Sequence, residues 1–346
     1  MPLTAPPPET SPPEGASAGR SLREVARLWP ELERLLSALL LDPGYDALRI
    51  DRLQALGQRV LDTVHTATDE ALFVIFQQAA RPSEHYGVAH ALACVAVGDL
   101  AAAQLEWPAA ERGLLMQAGL TMNLSITALQ NELAHRDRPL TVQQRQLIDR
   151  HPQRSAELLR ELGVEDEAWL AVVEQHHAAP ASAQADDPEP PPERRLADLL
   201  RRCDQFLAKV SVRAGRHPMA VTAAVRQACL GRDGRPDAIG QALLRVLGFY
   251  PPGTWVRLAS EEVAVVLRRG QRADQPLVAS LLDERRLPLH PPRVRQTSVP
   301  AHAVKAALGG ETLRLPHALE QLIGMSPPPP PPPPSPAPAA PESSEP

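Results

Sequence analysis

Between two proline-rich ends, the apolar residues of this chain fall at every third or fourth position, and that period points to helices as the elements that bury them. Leu22, Val25, Ala26 and Trp29 begin the pattern, and Leu32, Leu35, Leu36 and Leu39 continue it with Arg and Glu opposite. The spacing predicts an amphipathic first helix with a candidate kink at Pro30. A second helix is expected over 45–65, carrying Leu48, Leu53, Leu56 and Val60, and a third over 71–79. Aromatic residues make up 3% of the 346 residues and hydrophobic residues 43%. The core must therefore be assembled from Leu, Ala and Val, which suits helix-on-helix packing better than a β-sandwich.

The same reading extends through the middle of the chain, where helices are expected over 84–105, 108–119, 123–136, 142–161, 166–177, 193–212, 217–229 and 235–247. Thr141-Val-Gln-Gln has the form of a capping box, in which the hydroxyl and the glutamine side chain each satisfy an orphan backbone donor. The stretch from Pro180 to Pro192 holds five prolines and is expected to be an irregular loop. Past Leu247 the character changes. Tyr250-Pro-Pro-Gly-Thr-Trp-Val-Arg-Leu, Glu262-Val-Ala-Val-Val-Leu-Arg and Pro276-Leu-Val-Ala-Ser-Leu-Leu-Asp predict a turn followed by three short strands.

Six prolines within residues 1–19 predict a disordered arm. The unbroken run from Pro327 to Pro334 predicts a stiff polyproline II rod, a candidate docking element for a groove on a partner protein. A net charge of −5 offers no basic field for a nucleic-acid backbone. Cys94, Cys203 and Cys229 are odd in number and widely spaced, as expected of buried thiols in a reducing compartment. No run of about 18 uninterrupted apolar residues occurs, and the N-terminus lacks the basic-then-apolar order of a secretion signal. A cytoplasmic protein that neither crosses a membrane nor binds nucleic acid is expected.

The residues that carry chemistry are His90, His151, the adjacent pair His176-His177, and Asp204. Imidazole and carboxylate together are ligands for iron, manganese or zinc in a helical core. Adjacent helical residues point about 100° apart, so His176 and His177 can serve one ion only near a helix end. A lone histidine is more often a satisfied core group than a ligand, so it is their order and context that add weight. Tyr86-x3-His90 is followed by Leu120-Thr-Met-Asn-Leu-Ser-Ile, Leu140-Thr, His151-Pro, Gln175-His-His and Cys203-Asp-Gln-Phe-Leu.

This series resembles the HD-GYP family of metal-dependent phosphodiesterases that hydrolyse cyclic di-GMP, over roughly residues 84–247. The resemblance implies a mainly α, HD-domain-like helical bundle with a helical N-terminal region and a small C-terminal β appendage. Composition, periodicity and the resemblance together divide the chain into an arm at 1–19, an N-terminal region at 20–82, an HD-GYP-like domain at 83–247, the appendage at 248–300, a short helical or irregular segment at 301–325, and the tail at 326–346. His90, His151, His176, His177 and Asp204 match ligand positions of the family.

The departures set the functional expectation. Thr121 and Met122 stand where the family has His-Asp, Ser125 where it has a phosphate-contacting lysine, and Ala178 where it has the acid of His-His-Glu. No Gly-Tyr-Pro occurs in the 180–192 loop. A neutral thioether cannot bridge two hard cations. The chain is therefore expected to be catalytically inactive and to act as a binding or regulatory module in cyclic di-GMP signalling, with a cyclic dinucleotide or another signalling protein as partner and one divalent Fe, Mn or Zn ion as candidate cofactor. Two alternatives are an active phosphohydrolase with an altered metal centre, relying on His151, His176 and His177, and a purely structural helical protein.

Overall fold

The computed structural model describes residues 20–41, 48–178, 190–231, 234–309 and residue 322. The expected arm at 1–19, the tail at 326–346 and most of the 180–192 loop lie outside the described residues.

Helix α1 (Leu22–Leu41) buries Leu22, Val25, Trp29, Leu32 and Leu36, the stripe that the period selects, and it runs through Pro30. Truncating Trp29 to Ala would cost about 3–5 kcal/mol, the range for a fully buried aromatic. Helices α2 (Leu48–Thr66) and α3 (Thr68–Ala79) complete the N-terminal region. Helix α4 (Tyr86–Gln104) is apolar on nearly every side and occupies the centre of the molecule. By length and composition α4 could cross a membrane, but most of it is buried inside this fold. Around it lie α5 (Ala109–Thr121), α6 (Thr127–Ala134), α7 (Val142–Glu161), α8 (Glu167–Gln175), α9 (Pro192–Val210), α10 (Val221–Cys229) and α11 (Ala238–Leu247). The N-terminal region is not a separate layer, because Trp29, Leu36 and Phe73 share one continuous core with Leu92, Leu120 and Leu200.

Two polar devices fix helices in this core. Thr141 caps α7, accepting the Gln144 amide while the Gln144 side chain accepts the Thr141 amide, both over 3.1 Å. Asp99, fully buried on α4, receives two bonds from the Arg112 guanidinium on α5, at 2.8 and 2.9 Å, and meets His65 Nε2 on α2 at 2.5 Å. One carboxylate thus ties three helices together.

The appendage is a five-stranded antiparallel sheet of order β4-β3-β2-β1-β5, with β1 Trp255–Leu258, β2 Val263–Arg268, β3 Leu277–Leu282, β4 Pro288–Gln296 and β5 Val304–Leu308. This corrects the sequence expectation twice. There are five strands and not three, and the sheet takes in 304–308, which was expected to be helical or irregular. Both missed strands are edges, and Pro288, Pro291 and Pro292 in β4 are tolerated there because an edge strand leaves one row of amides unpaired.

Alternation along β2 divides its side chains between two clusters. Val263, Val265 and Leu267 join the helical core, while Ala264 and Val266 pack with Val256, Leu258 and Val278 in a small cluster of the sheet's own. Arg268 and Arg269 pair with Glu70 and Asp69, which holds the sheet to α3. The turn before β1 sits directly on α3: Gly253 has φ +87°, and a Cβ there would lie 2.7 Å from the Phe73 carbonyl oxygen. A side chain at 253 is excluded on both counts.

Candidate metal-binding site

Helix α8 is set at its start by Asp166, whose carboxylate accepts the amides of Ala168 and Trp169 at 3.0 and 3.1 Å. His176 caps its other end and His177 follows in the turn. Leaving the helix there lets adjacent residues converge, and their ring centroids lie 4.2 Å apart. His151, on α7, reaches the same place, with its ring centroid 5.0 Å from each of the other two. Ligand atoms of all three histidines fall within 4.8 Å of one another, with His151 and His176 buried and His177 exposed.

The tautomers follow from the hydrogen bonds. His151 Nδ1 donates to the Ile148 carbonyl at 2.5 Å and His176 Nδ1 donates to the Val173 carbonyl at 2.6 Å. Each ring therefore presents Nε2 as a lone pair, and the two Nε2 atoms stand 3.1 Å apart. Burial holds both rings below the ordinary imidazole range, His176 down to about 3 with help from His177. Neutral imidazoles whose far nitrogens are held by carbonyls have the arrangement of metal-ligating histidines. Two nitrogens bound to one zinc-sized ion at a tetrahedral angle are about 3.3 Å apart. His151, His176 and His177 therefore fit one divalent ion.

Asp204 and His90 form a second group. His90 Nε2 donates to Asp204 Oδ1 over 2.8 Å and lies 3.6 Å from the Cys94 sulfur. Burial pushes the Asp204 carboxyl up, but the bond from His90 and the neighbouring His90, His176 and His177 rings outweigh it and hold the group well below the usual range. That influence links the two groups electrostatically. Burial drives the Cys94 thiol well above its ordinary range, so it is a neutral neighbour rather than a thiolate. Its place four residues after His90 on one helix face is the sequence signal that could have found it. All three cysteines are free and buried.

Thr121, Met122 and Ser125, expected at the family's His-Asp and lysine positions, are engaged elsewhere. The Thr121 hydroxyl donates to the Gln117 carbonyl at 2.7 Å and accepts the Trp169 indole N–H at 3.0 Å. Met122 is fully buried in the main apolar core. Ser125 is tied to α7: its amide donates to the Ser155 hydroxyl at 3.2 Å, and its own hydroxyl donates to the His151 carbonyl at 3.2 Å. Among the described residues Asp204 is the sole carboxylate in either group. These residues do not fit a carboxylate-bridged pair of ions.

The chain superposes on the solved structure of Bd1817, a HDG"Y"P protein from Bdellovibrio bacteriovorus, with a TM-score of 0.50 and 12% sequence identity, covering 67% of this chain and 74% of that one. The fold is HD-GYP-like. No family model matches the sequence, and no curated protein does. The likeness is one of fold, over 67% of this chain, while the candidate ligand roles of the histidines rest on the geometry above.

Proposed function

We propose that this chain is a cytoplasmic, catalytically inactive HD-GYP-like module that holds a single divalent ion and acts by binding in second-messenger signalling, with a cyclic dinucleotide or a partner signalling protein as its ligand. The observation that carries this reading is the fate of Thr121 and Met122. One is satisfied by Trp169 and the helix backbone, and the other is sealed in the core, so neither can serve a second ion. Ser125, bonded to His151 and Ser155, supplies no cation for a phosphate. An ion held by His151, His176 and His177 would supply a Lewis acid for polarising a phosphoryl oxygen. The protein's own residues would do the positioning: the Ile148 and Val173 carbonyls orient two of the rings, and Asp204 adds negative charge beside them.

The test is metal analysis of the purified protein together with assays of cyclic di-GMP. The expected result is one divalent ion per chain, saturable cyclic di-GMP binding or capture of a signalling partner, and no hydrolysis with manganese or iron added. Hydrolysis that disappears in His151→Ala would overturn the inactive reading.

That outcome would favour the second reading, a single-ion phosphohydrolase. Three imidazoles converging beside an exposed edge are the observation on its side, since such a set with an open position is a hydrolytic arrangement in other proteins.

A further inference from the structure

A cavity of about 200 Å³ lies between α1, the α3–α4 connection, α4 and the end of α9. Its apolar wall includes Ile75, Ala93, Leu207 and Val212. Two residues of the wall, Glu33 and His90, carry buried polar atoms without a hydrogen-bond partner: Glu33 Oε1 and His90 Nδ1. Both are acceptors. His90 gives its Nε2–H to Asp204, which leaves Nδ1 with the lone pair, and Gln78 reaches only the other oxygen of Glu33. Two unpaired acceptors on one small apolar cavity are unfavourable while nothing donates to them.

We propose that this cavity is a binding site for a small primary amine with a compact apolar body, whose ammonium donates to Glu33 and to His90 while its hydrocarbon part fills the space against Ala93 and Leu207. The size suits such a ligand, since a dry cavity of about 150 Å³ holds benzene. Burial raises the Glu33 carboxyl to about 7, so the group sits at the edge of ionisation and gains most from a cation. The other charged lining group, Arg81, is exposed at the surface. Glu33 comes from the N-terminal helix, so this site is distinct from the histidine corner and does not depend on an ion being bound there.

The experiment is calorimetric titration of the full-length, chelator-treated protein with benzylamine, beside benzyl alcohol as the neutral isostere. Chelation removes coordination of the amine by a metal. The expected result is one saturable site for benzylamine, about tenfold or more tighter than for the alcohol, as a charge-assisted bond implies. Glu33→Gln should bring the amine down to the level of the alcohol, and Ala93→Phe should abolish both, each variant being checked by circular dichroism. Amine and alcohol binding equally, or no saturation by about 10 mM amine, overturns the proposal, and that comparison holds on the unaltered protein even where a variant fails to fold.

Discussion

His151 and His176 face each other through their Nε2 atoms at 3.1 Å, with both opposite nitrogens held by main-chain carbonyls. Two lone pairs at that distance repel unless a cation stands between them. His176→Ala should therefore weaken zinc or manganese affinity by about a hundredfold or more, beyond the effect of losing an outer-shell partner. Competition titration against a chelating dye measures this, and equal affinity in the two proteins would mean that the histidines are ordinary core groups.

The same burial predicts acid sensitivity in the metal-free protein. With His176 held at about 3 in the fold, the unfolded chain, whose histidine titrates near 6.5, binds a proton that the native state refuses. Stability should fall as pH drops below about 6.5 and keep falling toward 3. Urea midpoints across that window should show a shallower slope for His176→Gln.

Asp99 answers in a lower window. Burial pushes its carboxyl up, but the His65 and Arg112 bonds prevail and place it below the ordinary value. Its contribution is present above about pH 4 and is lost as pH falls through the folded value. Asp99→Asn should cost about 2–4 kcal/mol at neutral pH, because it strands a guanidinium against a neutral amide, and should flatten the acid limb below pH 4. A loss under about 0.5 kcal/mol, the scale of an exposed ion pair, would show that the three-helix tie contributes little.

Thr121→Val keeps the shape but leaves the Trp169 indole N–H without its acceptor. A loss of about 1–3 kcal/mol is expected, the penalty for an unsatisfied buried donor, read from the urea midpoint. An unchanged midpoint would mean that Trp169 finds another acceptor and that the bond to Thr121 contributes nothing to stability.

The helical half of the molecule was legible because its information is periodic. The stripe from Leu22 to Leu36 and the Thr141 cap are local patterns, and the structure realises both. The edge strands were not, since Pro288, Pro291 and Pro292 read as breakers until an edge position explains them. Within the site, the histidines and Asp204 stood out by their order alone. The Thr121–Trp169 bond joins residues 48 apart, and no local pattern announces it. Glu33 lies on what reads as the polar face of α1. It becomes half-buried, with Oε1 sealed from solvent, when other segments, Gln78 among them, close over it, and an amphipathic pattern carries no record of that closure.

The prolines of β4 also govern how this sheet meets other chains. A strand seeking to extend it from that side encounters amide positions with no hydrogen to give, so a continuous ladder cannot form there. On the opposite side β5 pairs with β1 alone among the described strands. Growth of the sheet by intermolecular pairing, whether as a specific complex or as the first step of aggregation, is thereby directed to the β5 side.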